Sequence, residues 1–258
     1  RKVVMRYQNR NCICCQSDQL ETLYIISDVQ IILHETSASL DVTVQICCQC
    51  GMVILNPIAE DAVYELYYRN SLRVTAENEG ASRKEKRQEQ HEFCRSWIAN
   101  YDRGGRVYDI GAHDGSLLSF FKADEWQVDG CDLSVTGHAY ALDNYGIPLD
   151  LSDFMQGNQP ENSFDVVTIF QVLEHIIDPN PLLRKVRRML KDAGVFILEI
   201  PNLDHPSVHN LANYFNFEHV NYFETGSITN LLATAGFSVI NSSICLRNKA
   251  LRVITTKA

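Results

Sequence analysis

No stretch of this sequence approaches the roughly 18 consecutive apolar residues that a membrane-crossing helix needs, and its first ten residues, RKVVMRYQNR, are too polar for a secretory leader. These absences point to a cytoplasmic chain without a membrane partner. Basic residues are scarce as well: Lys and Arg total 23 against 32 Asp and Glu, a formal charge of −9. Proteins that grip phosphate backbones cluster Lys and Arg on one face, so nucleic acid is a disfavoured partner. The one dense basic run, Arg83 to Arg87, sits among Glu and Gln in a helical pattern and reads as a solvated helix face. There is no internal repeat and no low-complexity tract. The G-x-G-x-x-G turn with which dinucleotide-binding folds hold a pyrophosphate is also missing. What is present is an ordinary globular composition, 45% hydrophobic and 21% charged over 258 residues, enough for one full domain and something smaller.

Cysteine is the exception to this plainness. The chain has nine, and Cys12, Cys14, Cys15, Cys47, Cys48 and Cys50 all fall in the first fifty residues. Between them the alternating segments TLYII and DVTVQI argue for short strands with cysteine-bearing turns at their ends. Cys12-x-x-Cys15 and Cys47-x-x-Cys50-Gly51 each have the spacing that lets two thiolates reach one tetrahedral ion, so residues 1–58 read as a structural zinc-binding module. Zinc would also steady a segment too small to bury much core. Disulfides are disfavoured in a reducing compartment. Cys14 and Cys48 are spare beside this set, and Cys94, Cys131 and Cys245 lie in helix or strand patterns that suit buried, inert thiols.

Residues 59–100 are charged and glutamine-rich, with Phe93, Trp97 and Ile98 at helical spacing, and read as a helical connector. From 101 to 258 the pattern becomes strand, helix, strand, helix. Strands are expected at 106–110, 126–133, 146–151, 165–173 and 195–200. Helices are expected at Ser116 to Ala123, at Val135 to Tyr145 and along PLLRKVRRMLKDAG, with Gly194 as its stop, followed by a helix through SITNLLATAG. FSVINSSICL and LRVITTK, joined by RNKA, close the chain as a hairpin. Near-continuous apolar strands alternating with helices imply a parallel sheet covered on both faces. The expected fold is α/β: a doubly wound, seven-stranded sheet, parallel with an antiparallel terminal hairpin, preceded by the small β module and the connector.

Chemistry gathers at the C-terminal ends of these strands. YDIGAHDGSLL, Tyr108 to Leu118, runs from a strand through a glycine turn into an apolar helix. Gly111 permits a sharp turn and Gly115 lets the helix start close by, with free N–H groups facing the same place. Asp132 ends the second strand about twenty residues on, where an acidic side chain accepts ribose hydroxyls. Leu133 follows it, and Asp153 and Phe154 follow the third strand, offering an acceptor for an adenine amino group beside an apolar face. Asp109 and Asp114 make the turn acidic, which repels a diphosphate and suits an ammonium group.

On these residues, 101–258 resembles a class I S-adenosylmethionine-dependent methyltransferase. YDIGAHDGSLL stands for its first cofactor motif, GCDLS for the ribose-binding acid, FDVVTIFQVLEHIIDP for the fourth strand and its Glu-His turn, AGVFILEIPN for the fifth, and FEHVNYFETGSITNLLATAGF for the closing segment. The resemblance implies S-adenosylmethionine as cofactor, held by Asp109, Gly111, His113, Asp114, Gly115, Asp132, Leu133, Asp153, Phe154, Phe170 and Gln171. His113 departs from the commoner pattern, which has a glycine there. A Cys-x-x-Cys pair ahead of such a domain is similar to the zinc-binding region of methyltransferases that modify sugars and related small molecules, which implies a small-molecule acceptor, a saccharide or sugar nucleotide favoured. Larger sugar C-methyltransferases of this arrangement carry a further C-terminal domain that is not seen here, which tilts the acceptor atom toward oxygen.

Transfer from a sulfonium to a hydroxyl needs in-line geometry and a base. His175, after the fourth strand, and His219, in the segment over the substrate side, are the candidate catalytic residues. The plainer account has Glu174 and His175 fixing the turn and lining the cofactor site, and His219 packing with Tyr222. Tyr214, Phe215, Phe217, Tyr222 and Phe223 are dense enough to suggest an acceptor-pocket wall, partly accounted for by core packing. Two rivals stand beside this reading: an RNA base methyltransferase using the zinc module to grip RNA, and a non-catalytic binding protein that keeps the fold. The acceptor and the oligomeric state are not written in the sequence.

Overall fold

The computed structural model describes residues 6–33, 36–60, 63, 64, 67, 80–204, 214–245 and 249–258. Much of the expected connector, 68–79, and part of the expected RNKA turn lie outside the described residues. So does the stretch 205–213.

Two sheets organise the rest. In the first, the cysteine turns are joined by a long hairpin, β2 (Leu20–Leu33) and β3 (Thr36–Cys47), where short strands are expected. β3 pairs with β4 (Val53–Leu55). A minor pair is made by β1 (Tyr7–Gln8) and β5 (Ile58–Ala59). Helix α1 (Gly80–Trp97) then leads into the second sheet.

That sheet contains β6 (Arg106–Ile110), β7 (Gln127–Cys131), β8 (Phe164–Phe170), β9 (Leu190–Pro201), β11 (Phe237–Cys245) and β12 (Ala250–Lys257), in the order β11-β12-β9-β8-β6-β7. The first four are parallel, and the terminal hairpin adds antiparallel to β9. Alternation sends neighbouring residues to opposite faces. Val107, Val166, Ile197 and Ile254 join Cys94 of α1, Leu117 and Phe121 of α2 (Ser116–Ala123) and Ala141 of α3 (Val135–Tyr145) in one buried cluster. Tyr108, Val167, Phe196 and Val253 belong to the other, with Leu183 and Val186 of α4 (Pro179–Met189) and Leu231 of α5 (Thr225–Thr234). The doubly wound arrangement is therefore present. Among the described residues no helix is long and apolar enough to cross a membrane.

Three elements differ from the expectation. The strand expected at 146–151 is a single parallel bridge, Cys131 to Asp150, because Pro148 has no N–H to give a ladder; among the described residues the sheet has six full strands rather than seven. The fourth strand stops at Phe170, since Gln171 has φ +58°, and Leu173–His175 form a 3-10 turn. The long helix ends at Met189 rather than Gly194. Leu190 is fully buried and pairs with Phe164 at the start of β9, so burial in the sheet overrides the helical pattern.

The first sheet does not end at residue 58. Its fourth strand is β10 (Asn221–Tyr222), from the FEHVNYF segment, paired with β4. Arg10 fastens this seam. Its guanidinium donates to the carbonyls of Leu55 at 3.0 Å, Ile177 at 2.8 Å and Val220. Asn180 of α4 donates to the Ile13 carbonyl at 2.8 Å, tying the first cysteine turn to the second sheet.

Candidate active site

The strand order reverses between β7–β6 and β8–β9, so the chain leaves β6 and β8 in opposite directions and opens a crevice at their C-terminal ends. Gly111 and Gly115 sit there with φ of +75° and +72°. A Cβ on Gly111 would stand 2.4 Å from Val172 Cγ2, and one on Gly115 2.7 Å from Ala141 Cβ. Close approach, as well as positive φ, keeps both positions glycine. His113 also has positive φ, +52°. Its N–H donates to Asp132 Oδ2 at 2.8 Å, while Ser134 N donates to Asp132 Oδ1 at 2.8 Å. The expected ribose-binding acid is thus half-buried and also ties the turn to the end of β7, with each oxygen keeping a second lone pair.

The acidic residues of the turn have different surroundings. Asp109 is buried, and burial pushes its pKa up to about 6, although Arg87 and a 2.7 Å hydrogen bond from Thr168 Oγ1 favour the ionised form. Asp114 is also buried, which works against its charge, but hydrogen bonds from His113 and Ser116 outweigh burial and hold it below the usual carboxylate range.

On the expected adenosine side, Leu133 is half exposed at 51%. Asp153 is exposed and accepts from Met155 N at 2.7 Å, and Phe154 is buried beneath the Lys185 ammonium, 4.6 Å from the ring centroid. Phe170 lies in the buried core cluster. Gln171 turns to Glu199, its Nε2 3.2 Å from Oε1.

Beyond Val172, Glu174 and His175 meet His219. His175 Nδ1 lies 3.0 Å from the Glu218 carbonyl and Nε2 lies 3.9 Å from Glu174 Oε1. The two imidazole rings are 4.8 Å apart. Burial lowers the pKa of both, and that of His219 to about 3 with His175 beside it. Burial, helped by the Glu199 charge and opposed by its own backbone N–H and by Lys86, pushes the Glu174 carboxyl up to about 8. The aromatic wall is mostly core: Phe215, Phe217, Tyr222 and Phe223 are buried, and Phe217 stacks on Tyr64 at 4.6 Å.

The sequence reading missed a buried polar network at the same end of the sheet. Glu199 of β9 receives Arg252 Nε at 2.7 Å and Gln90 Nε2 at 3.0 Å, with Lys86 at 3.6 Å. Lys86 and Arg87 therefore do not belong to a fully solvated basic face; Arg87 donates to Gln90 at 2.8 Å. Gln90 lies one helical turn before Phe93 and Cys94, so the apolar stripe already implied an inward position. Arg252 shares its strand face with Ile254.

The cysteine turns also converge. The Sγ atoms of Cys12, Cys15, Cys47 and Cys50 all lie within 4.8 Å of one another, with Cys12 to Cys50 at 3.4 Å and Cys15 to Cys47 at 3.5 Å. Tetrahedral zinc with bonds of about 2.3 Å spaces its sulfurs about 3.8 Å apart, so the set fits such an ion.

Comparison with known proteins agrees with this geometry. A probable S-adenosylmethionine-dependent methyltransferase of Mycolicibacterium smegmatis is 30% identical over 156 residues, 58% of each chain. The ubiquinone biosynthesis O-methyltransferase of Rhodopseudomonas palustris is 29% identical over 141 residues, 53% of each. The chain thus spans a little over half the length of these curated relatives. Among solved structures, the Burkholderia thailandensis 1,6-didemethyltoxoflavin-N1-methyltransferase, with that compound and S-adenosylhomocysteine bound, shares the fold at a TM-score of 0.63 and 17% identity, covering 82% of this chain and 97% of that one. The methyltransferase-domain family matches residues 84–242, more than half of the chain, and the chain belongs to that family.

Proposed function

We propose that this chain transfers a methyl group from S-adenosylmethionine to a small-molecule acceptor, with a saccharide or sugar nucleotide favoured and oxygen preferred to carbon. The observation that carries it is a juxtaposition at the C-terminal ends of the strands: the glycine turn with Asp132 on one side and Glu174, His175 and His219 on the other, with Val172 between them against Gly111. The cofactor supplies an electrophilic methyl on a sulfonium. Asp109 and Asp114 fit its ammonium group, Asp132 and Asp153 its adenosine, and the Gly111 to Gly115 turn lets backbone N–H groups approach. His175 and His219 hold the acceptor side, placing its hydroxyl in line with the methyl.

Cys12, Cys15, Cys47 and Cys50 hold a structural zinc in this reading. The convergence of the four Sγ atoms within 4.8 Å of one another supports it. Metal analysis of protein purified without chelator should find one zinc per chain; none would remove the ion from the account.

Calorimetry with S-adenosylmethionine, followed by mass spectrometry of sugar nucleotides incubated with enzyme and methyl-labelled cofactor, tests the activity. Heat on binding and label in the sugar are expected. No heat at millimolar cofactor would overturn the reading, and label appearing only in RNA would replace it with the nucleic-acid rival.

A further inference from the structure

One carboxylate at this end of the sheet is buried without a partner among the described residues. Glu174 is 1% exposed, and neither carboxylate oxygen has a hydrogen-bond partner among the described residues. An ionised carboxylate so placed costs several kcal/mol unless a cation meets it. A neutral one still carries an O–H in need of an acceptor. The His175 imidazole stands 3.9 Å from it, with the Glu199 and Lys86 charges in electrostatic reach but no hydrogen-bonding partner among them.

Glu174, His175 and His219 each offer one ligand atom, and these atoms lie within 4.8 Å of one another. The Nδ1–H of His175 donates to the Glu218 carbonyl at 3.0 Å, which fixes the tautomer and turns the Nε2 lone pair toward Glu174. Metal-binding histidines are held in this way by a second hydrogen bond. The backbone fixes the rest: Val220 N donates to the Glu174 carbonyl at 2.9 Å, and His219 N donates to Asn216 Oδ1 at 2.8 Å. The two segments that supply the ligands, far apart in sequence, are thus locked side by side.

We infer that Glu174, His175 and His219 together bind a divalent transition-metal cation on the acceptor side of the crevice. Two imidazoles and one carboxylate suit such an ion and leave coordination positions open. Bonds of about 2.0–2.2 Å to nitrogen and oxygen require the ligand atoms to stand roughly 3–3.6 Å apart, within reach of small side-chain rotations. The open positions match vicinal hydroxyls of a saccharide, and a bound hydroxyl loses its proton more readily. His175 and His219 then act as ligands rather than as the base itself. That role rests on the methyl-transfer reading; the binding site does not.

Mn2+ is the probe, because hard oxygen and imidazole ligands hold it while thiolates favour softer ions, so the cysteine cluster does not compete. Titration of the zinc-loaded full chain, followed by loss of the free Mn2+ electron paramagnetic resonance signal, should show saturable binding that Glu174→Gln and His219→Ala each weaken about 10–100-fold. S-adenosylmethionine calorimetry on the same samples reports their integrity. Absence of Mn2+ binding at millimolar metal in protein that binds the cofactor overturns the inference and leaves the enzyme reading intact. So does binding that neither variant weakens. Mn2+ binding without cofactor binding upholds the metal site and removes the methyltransferase reading instead.

Discussion

The backbone N–H of His113 donates to Asp132 Oδ2 at 2.8 Å, joining the glycine turn after the first strand of the parallel sheet to the end of the second. The other oxygen of Asp132 takes Ser134 N at 2.8 Å. Asp132→Ala therefore removes an expected ribose contact and strands two backbone donors. Loss of about 2 kcal/mol of stability is expected from the unmet groups, and a fall in cofactor affinity well beyond tenfold. Thermal melts and calorimetry measure the two separately. Unchanged affinity would mean that the adenosine does not lie in this crevice.

His113→Gly separates the backbone's part in that contact from the imidazole's. Glycine accepts φ +52° without strain and keeps the N–H to Asp132. Relief of strain and loss of backbone order nearly cancel, while the imidazole's hydrogen bond to Asp114 is lost, so stability should fall by about 1 kcal/mol. Cofactor affinity should be preserved or improved. A tenfold loss by calorimetry would show that the imidazole itself touches the cofactor.

Local signals explain what could be read in advance. Gly111 and Gly115 announced the turn because only glycine tolerates both their φ and their neighbours, and Asp132 sat at the spacing the fold dictates. What failed depended on distant partners. Nothing near Leu190 says that it will pair with Phe164 rather than continue a helix. Nothing in FEHVNYF says that Asn221 and Tyr222 complete a sheet begun before residue 60. The Glu199, Gln90 and Arg252 network was hidden because buried charges look like surface charges until their partners are known. The convergence of Cys12, Cys15, Cys47 and Cys50 was legible from the two Cys-x-x-Cys spacings, although Cys14 and Cys48 stood beside them as spare thiols.

Arg10 is the most consequential residue that no motif marks. Its guanidinium satisfies the carbonyls of Leu55, Ile177 and Val220, and burial lowers its pKa to about 10. Val220 follows His219, and Ile177 lies two residues after His175. Arg10→Met fills similar space but leaves buried acceptors unmet, and should cost about 3 kcal/mol by denaturant unfolding. It should also raise KM for the acceptor while cofactor affinity is kept. A variant as stable as the parent would show that solvent reaches these carbonyls.

Asp109 sets cofactor chemistry against stability. Burial raises its pKa from 3.8 to about 6, so in the folded chain without cofactor it takes up a proton that the unfolded chain would not yet hold. Its charge destabilises the fold above pH 6, and this cost disappears as pH falls toward 4, with a ceiling of about 3 kcal/mol. Asp109→Asn keeps an oxygen for Thr168 Oγ1 and should be the more stable protein at pH 7.5, with the difference vanishing near pH 4. The cofactor's ammonium favours the charged form, so binding by the parent should weaken below pH 6, by up to about tenfold per pH unit. In Asp109→Asn it should be weaker and nearly flat over the same range. Calorimetry from pH 5 to 8 on both proteins decides the matter. Parallel curves would show that the ammonium is met elsewhere, leaving Asp109 as a buried acid whose cost serves only the strand that carries it.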